Sequence, residues 1–371
     1  MKIVEVRSPF VIQINEATQL GSKIEIFIWN KGTTEPTTPT YTLSKPIPTV
    51  NQRLTSYNVS NFVKEYIDNI APTYVNYPAN NESVINYAFF RVKRYWDNAG
   101  VYTLLDSTVY VGVNGFTNYM DGLQTADDTR VKLLFNPLIK NNYQIKSSYP
   151  VDTIQYLNVL AEFDDINDTL TIEYEKIGGG YTAPVYFDGA TTGVLLFKVP
   201  ISLAKLDNNF VDGCKIKITY YHDVPGTTTV FDNIFTYPIC EPKYTPVLCD
   251  FINRHGGWQT LTFYKAQTNS ITAKSDDYKL MPNEVNYNPL RGQSKSFNFR
   301  GTQNVTLNTG WVDENYSELI TDLLLSETIL LDRKPASLKT QSSELKTKLK
   351  NRVINYTMEF EYNFNLINDV I

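Results

Sequence analysis

From Arg352 to Phe364 the chain alternates with a period of two. Val353, Asn355, Thr357, Glu359 and Glu361 fall on one side, and Ile354, Tyr356, Met358, Phe360 and Tyr362 on the other. One side is mostly polar and the other apolar, which is what a strand with one wet face and one packed face requires and a helix cannot use. The same signature recurs in Lys23–Trp29, where Ile24, Ile26 and Ile28 share a face. It recurs again in Ala88–Trp96 and Val101–Val113, separated by Asp97-Asn98-Ala99-Gly100, which reads as a hairpin turn. Further strands are expected at 129–136, 151–162, 168–176, 192–200, 214–222, 228–239, 246–253, 258–267, 270–280, 294–308 and 328–332. A chain so dominated by short strands forms sandwiches or barrels.

Two segments carry helical periodicity. In Ser60–Ile70 the residues Phe62, Val63, Tyr66, Ile67 and Ile70 line one face, with Ser60 placed as N-cap. In Asp313–Ser326, Leu319, Ile320, Leu323 and Leu324 form an apolar stripe, Asp313 is the expected N-cap, and Glu314 and Glu318 suit the positive end of the helix dipole. A sandwich takes roughly 100 residues, so the 371 residues accommodate three modules. The expected divisions are 1–115, an immunoglobulin-like sandwich with the first helix; 116–245, a second sandwich; and 246–371, a β module with the second helix. The fold class expected is mainly β and multi-domain. Two long irregular stretches interrupt it: Lys31–Pro48, rich in Thr and Pro, and 333–351, with Arg333, Lys334, Lys339, Lys346, Lys348 and Lys350 against the single acid Glu344. Each reads either as a solvated loop or as an arm that orders on a neighbouring subunit.

Composition narrows the function. An apolar content of 42% supports packed cores. No run approaches the ~18 apolar residues of a membrane helix, and no membrane partner is expected. A net charge of -5 opposes nucleic-acid binding driven by whole-protein charge. The segment from Met1 to Pro9 lacks the apolar stretch and small-residue site of a signal peptide, which points to maturation in a reducing cytoplasm. Asn-x-Ser/Thr triplets such as Asn58-Val-Ser60 then carry no meaning.

With 2 His and 3 Cys the usual nucleophiles, proton shuttles and metal ligands are scarce. Cys240, Cys249 and His255 have the wrong spacing for structural zinc and lack a fourth ligand, so buried thiols are preferred and no cofactor is expected. Gly178-Gly179-Gly180 is followed by a strand-like segment, not by the helix a phosphate loop needs, and reads as a turn. The cluster Asp164-Asp165-Ile166-Asn167-Asp168 lacks the calcium-loop spacing and also reads as a turn. His222-Asp223 has no nucleophile on a sharp turn to serve. The chain is therefore expected not to be an enzyme. The basic 333–351 stretch is expected to meet acidic patches on a neighbour and not a specific nucleic acid.

Several patches resemble a known group. Arg7-Ser-Pro-Phe-Val-Ile12, Ile26-Phe-Ile-Trp-Asn30, Tyr41-Thr-Leu-Ser-Lys-Pro46 and Tyr57–Ile67 at one end are similar to the opening module of virion proteins from crAss-like and related phages of Bacteroidetes. His255–Tyr264, Gly310–Asn315, Leu323–Ile329 and Asn355–Tyr362 at the other end resemble the same proteins. None of these is a catalytic signature, and 115–245 carries no such likeness. The resemblance implies a virion tail component, assembled in the host bacterial cytoplasm, whose last segment is a tail-tube-like β-sandwich or barrel. Copies would join in a cyclic ring of sixfold or twelvefold symmetry in the tail barrel or neck, next to adjacent ring, hub or portal-side proteins. Expected interface residues are Arg333, Lys334, Lys339, Lys346, Lys348, Lys350, Trp311 and Trp258. The competing expectation, drawn from the surface aromatics, is a carbohydrate-binding or adhesion protein.

Overall fold

A computed structural model describes residues 1–47, 49, 51–68, 87–135, 143–145, 156–174, 179–181, 185–188, 193–200, 215–223, 226–235, 237–240, 243–280, 290, 292–312, 316–340 and 354–367. The protein is mainly β, with several sheets and two α-helices among the described residues. The chain divides into two compact units. Unit 1 holds Met1–Glu241, Phe251–Thr260 and Asn315–Glu327; unit 2 holds Pro242–Asp250, Leu261–Glu314 and Thr328–Ile371.

Unit 1 opens with β1 (Lys2–Glu5), β2 (Val11–Ile14), β3 (Gly21–Asn30), β4 (Tyr41–Pro46), β5 (Thr55–Asn58), α1 (Ser60–Lys64), β6 (Tyr87–Asn98), β7 (Val101–Val113) and β8 (Asp127–Asp128). Six of these strands form a sheet in the order β4-β3-β6-β7-β1-β8, and β2 pairs with β5. The alternation read from the sequence is the burial pattern observed: Ile24, Ile26 and Ile28 of β3 meet Phe90 and Val92 of β6 in the core, together with Ile12, Tyr57 and Val63. The β6–β7 turn has positive φ at both Ala99 and Gly100, and the Gly100 N–H donates to Asp97 Oδ1 at 2.7 Å. That geometry matches the right-handed twist of the flanking strands. Gly112 has a packing reason: a Cβ there would come within 2.7 Å of Val63 on α1.

The next strands are β9 (Val131–Leu133), β10 (Tyr143–Ile145), β11 (Tyr156–Phe163), β12 (Thr169–Tyr174), β13 (Val185–Asp188), β14 (Gly193–Pro200), β15 (Lys215–His222), β16 (Thr227–Phe235) and β17 (Tyr237–Cys240). The sheets β14-β11-β9 and β13-β12-β15-β16 share a core of Val159, Phe163, Ile172, Phe197, Ile218 and Tyr220, among others. This is a β-sandwich. A second cluster brings Ile3, Val111 and Val113 against Leu134, Leu160 and Leu196. The division expected near 115 is therefore no gap in packing. The first sheet and the sandwich share apolar surface, because the outer side of β1 and β7 is also hydrophobic.

The last strands are β18 (Val247–Ile252), β19 (Trp258–Phe263), β20 (Thr268–Lys279), β21 (Ser294–Val312), β22 (Ile329–Leu331), β23 (Lys334–Leu338) and β24 (Ile354–Tyr362), with α2 (Tyr316–Leu324) between β21 and β22. They form one sheet in the order β19-β18-β22-β23-β24-β21-β20, and the 251–260 stretch of β18 and β19 clusters with unit 1. Tyr356, Met358 and Phe360 are buried while Asn355, Thr357 and Glu359 are exposed, as their alternation demands.

Four expectations change. The Lys31–Pro48 stretch is not irregular throughout: Tyr41–Pro46 is β4, paired with β3, and Glu35 accepts from Arg91 Nε at 2.5 Å and Nη2 at 3.0 Å. The bare edge of β3 and one charge pair seat it on its own sheet. The 333–351 stretch likewise begins with a strand, β23, between β22 and β24. Its two-residue turn places Asp332 and Arg333 at positive φ, which neither residue type advertises. Ser60 is not the N-cap; Val59 occupies that position without a side-chain bond. The Ser60 hydroxyl instead donates to Ser8 O at 2.6 Å and accepts from the Phe10 N–H at 2.7 Å, fastening the chain before β2. Finally α2, expected with the C-terminal module, belongs to unit 1. Arg7 Nη2 donates to the Leu325 carbonyl at 2.6 Å beyond its C-terminal end, and Lys64 pairs with Glu327 at 2.8 Å. Its expected N-cap, Asp313, lies outside the described residues.

Candidate assembly surface

Strands β20 and β21 of unit 2 make an unusual ribbon. They pair antiparallel from Thr268↔Thr306 to Lys279↔Ser294, whereas β24 pairs with β21 only from Asn304 onward. Beyond that point no third strand joins them among the described residues, and the fully exposed part of β21, Ser294–Arg300, spans about 20 Å at ~3.4 Å per residue. Every residue of Thr268–Lys279 and of Ser294–Arg300 is exposed. Ile271, Tyr278, Phe297 and Phe299 are large apolar side chains on this ribbon, all standing in water. An isolated two-stranded ribbon is marginal in water, and its bare edges invite pairing with another chain.

The ribbon also carries devices that restrain indiscriminate pairing. A bulge sets two residues of β21 against Ser275, and Asn298 takes a positive φ there. The Asn298 amide donates to Asp276 Oδ2 at 3.2 Å. A bulge twists the edge, and Lys274, Lys279, Lys295 and Arg300 place charge along it. The Leu366 N–H donates to Gly301 O at 2.8 Å, so the chain after β24 covers one point of the β21 edge. Sequence alternation found both strands, but not that they outrun their neighbours, because strand length says nothing about where the partners stop.

The residues expected at an interface are dispersed. Trp311 is 64% exposed on β21, directly opposite Asn355 on β24. Beside it the Asn308 amide donates to Asn355 Oδ1 at 2.6 Å and to Thr357 Oγ1 at 2.8 Å. Trp258, in contrast, is 5% exposed, and its carbonyl accepts from Asn158 Nδ2 at 2.5 Å. It is a core residue of unit 1 and offers no surface to a neighbour; an indole in a strand reads the same in sequence whichever way it faces. Arg333 and Lys334 are exposed at the β22–β23 turn. Lys339 pairs with Glu361 at 2.5 Å on its own sheet. Lys346, Lys348 and Lys350 lie outside the described residues.

The chemical constellations also find places. Asp168 and His222 are both buried, with Nδ1 2.8 Å from Oδ1. The carboxylate also accepts the backbone N–H groups of Asp164, Asp165 and Asp223 at 2.8, 3.2 and 3.0 Å. Burial opposes its charge, but these donors outweigh it and hold the carboxyl below its ordinary value. Asp168 therefore organises the 164–168 turn itself and ties it to the end of β15, as expected of a turn. Gly179 and Gly180 have positive φ between β12 and β13, again as a turn uses them. Cys249 is fully buried and its thiol is pushed well up by burial and by Asp250 and Asp332. Among the described residues no three His, Cys, Asp or Glu side chains gather to hold a metal ion.

The expected strands 246–253 and 258–267 leave room for the turn 253–257, but do not show that it is wedged into unit 1. Asn253 Nδ2 donates to Leu134 O at 3.1 Å and to Gln259 Oε1 at 2.9 Å, and the Phe116 N–H donates to Arg254 O at 2.7 Å. Gly256 and Gly257 allow the approach: a Cβ on Gly256 would sit 2.7 Å from Gly115 N, and one on Gly257 would overlap the Leu134 carbonyl. Burial, with Arg254 and Lys132 adding repulsion, lowers His255 to about 4, so its imidazole is neutral at pH 7. Facing this turn, Asp322 of α2 is buried and its Oδ2 has no partner among the described residues. Burial raises its carboxyl to about 6, against the charge and backbone N–H of Arg254. No protein-family model and no curated protein matches the chain.

Proposed function

We propose that the protein is a non-enzymatic structural subunit whose copies join into a cyclic ring, with the β20–β21 ribbon of unit 2 as the joining element. The observation that carries this reading is the ribbon: Ser294–Arg300 against β20 is about 20 Å of paired backbone with both faces wet and, among the described residues, no third strand on either edge, and the ribbon exposes four large apolar side chains. A monomer gains nothing from that arrangement, whereas a neighbouring copy supplies the missing contacts. The resemblance of the chain ends to virion proteins of crAss-like phages makes a phage tail or neck ring the setting. The purified chain is expected to form a cyclic oligomer, seen by mass photometry and negative-stain imaging. The substitutions Ile271→Lys and Phe299→Lys together are expected to leave the melting temperature within a degree or two and return the chain to monomer. A chain that stays monomeric at high concentration refutes the proposal.

A second reading rests on one observation. The exposed Trp311 indole lies beside the Asn308, Asn355 and Thr357 side chains, a flat apolar surface with amides and a hydroxyl at its rim, which suits stacking of a sugar ring. A glycan array separates the readings: specific binding that is lost in Trp311→Ala favours the saccharide.

A further inference from the structure

The loop between β7 and β8 carries at its middle a 3-10 turn, Tyr119–Asp121, where the usual relation of burial to hydrophobicity is inverted. Tyr119 is 95% exposed, Met120 90% and Leu123 65%. Together they offer on the order of 400 Å² of mostly apolar surface, as much as the largest patch on a typical monomer.

Yet the loop is held firmly. The Asp121 N–H donates to Asn118 O at 3.1 Å, the Gly122 N–H to Tyr119 O at 3.2 Å, and the Asn118 N–H to Asp121 Oδ2 at 3.3 Å, a reciprocal capping box. Gly122 takes the positive φ that closes the turn. On either side the stem is clamped. Gln124 Nε2 donates to the carbonyls of Glu5 and Ser8, both at 2.8 Å, and the Thr117 N–H donates to Ser8 Oγ at 2.9 Å. A loop fixed in this way presents its side chains with little ordering entropy left to lose on binding, which is how an anchor residue gains affinity.

Charge selects the occupant. In the turn itself, residues 118–123, the one charged residue is Asp121; further along, Asp127 pairs with Lys132 at 3.5 Å and Asp128 stands opposite Lys2. This acidity disfavours an anionic membrane surface. The β20–β21 ribbon has the opposite character: Lys274, Lys279, Lys295 and Arg300 outnumber Asp276 and Asp277 there, next to exposed Phe297 and Phe299. Each surface exposes apolar area, and their net charges are opposite in sign.

We infer that the 118–123 turn of one copy is the receptor for the β20–β21 ribbon of the next. Two different surfaces then meet head to tail, the arrangement that generates a ring when the rotation closes. This rests on the assembly proposed above, and it names the second half of the joint. The same acidity steers the basic ribbon toward the turn, and salt screens that steering.

The test mixes two singly substituted chains, Met120→Cys and Phe299→Cys, under mild oxidation, with the unsubstituted chain as background. The oligomer is measured in parallel for the wild type and for Tyr119→Ala with Met120→Ala. A disulfide-linked dimer formed only in the mixture is expected. The double alanine variant is expected to assemble at least about tenfold more weakly with an unchanged melting temperature, and the wild type more weakly at high salt. An oligomer that forms without the cross-link, and equally well in the alanine variant, overturns this inference and leaves the assembly reading standing. Binding of the turn to neutral-lipid vesicles, lost in the alanine variant, also overturns it. A wild-type chain that never associates refutes both.

Discussion

Asp322 sits on the inner face of α2, buried, with one carboxylate oxygen lacking a partner among the described residues. Burial is the main reason its carboxyl rises to about 6 from an ordinary 3.8, and Glu318 adds to it, while Arg254 pulls the other way. A carboxyl that binds its proton more tightly in the folded state stabilises the fold fully below its unfolded value. That contribution is lost as pH rises through the folded value. Between pH 4 and 6, then, the native state loses on the order of 2–3 kcal/mol from this residue as the charge develops in an apolar setting. Asp322→Asn removes the charge and keeps the oxygen that accepts from the Arg254 backbone. The new amide brings donors of its own into the buried site, which costs about 1 kcal/mol. Urea unfolding at pH 8 is therefore expected to show the variant more stable by about 1–2 kcal/mol, with the gain vanishing near pH 4. His255, lowered to about 4 by burial, acts in the opposite sense over 4 to 6.5. Its neutral form suits the fold, so stability is lost as pH falls. The difference between wild type and variant isolates Asp322, because the His255 contribution is common to both. A variant less stable than wild type at pH 8, or a gain that does not shrink toward pH 4, refutes the reasoning.

Other expectations follow from single contacts. Asp168→Ala leaves the buried His222 ring and three part-buried backbone N–H groups without their acceptor, and thermal unfolding should report a loss of about 2–3 kcal/mol. Because that carboxyl is held low, its share of stability is present at neutral pH and lost as pH falls through its folded value, so the difference between wild type and Asp168→Ala should narrow in acid. Gly257→Ala forces a methyl onto the Leu134 carbonyl, and expression with circular dichroism should show a loss of more than about 3 kcal/mol or no folded protein. A deletion of 334–350 removes β23 from between β22 and β24 and should unfold unit 2.

The sequence by itself determined the class of the fold and most strand positions. Period-two alternation is a local property: Ile24, Ile26 and Ile28, or Tyr356, Met358 and Phe360, must share a face whatever the rest of the chain does. It also marked the β6–β7 turn and the apolar stripe of α2 for the same reason. It did not reach the four-residue β1, β2 and β5, too short to show a period, nor β4 and β23, which each carry a proline and become strands because β3 and the β22–β24 pair offer backbone partners. Nor could it separate Trp258 from Trp311, since two indoles on strands differ only in which neighbours cover them. The ribbon and the 118–123 turn belong to the same category. Each is defined by what fails to cover it, and coverage is a property of three dimensions that no single segment encodes.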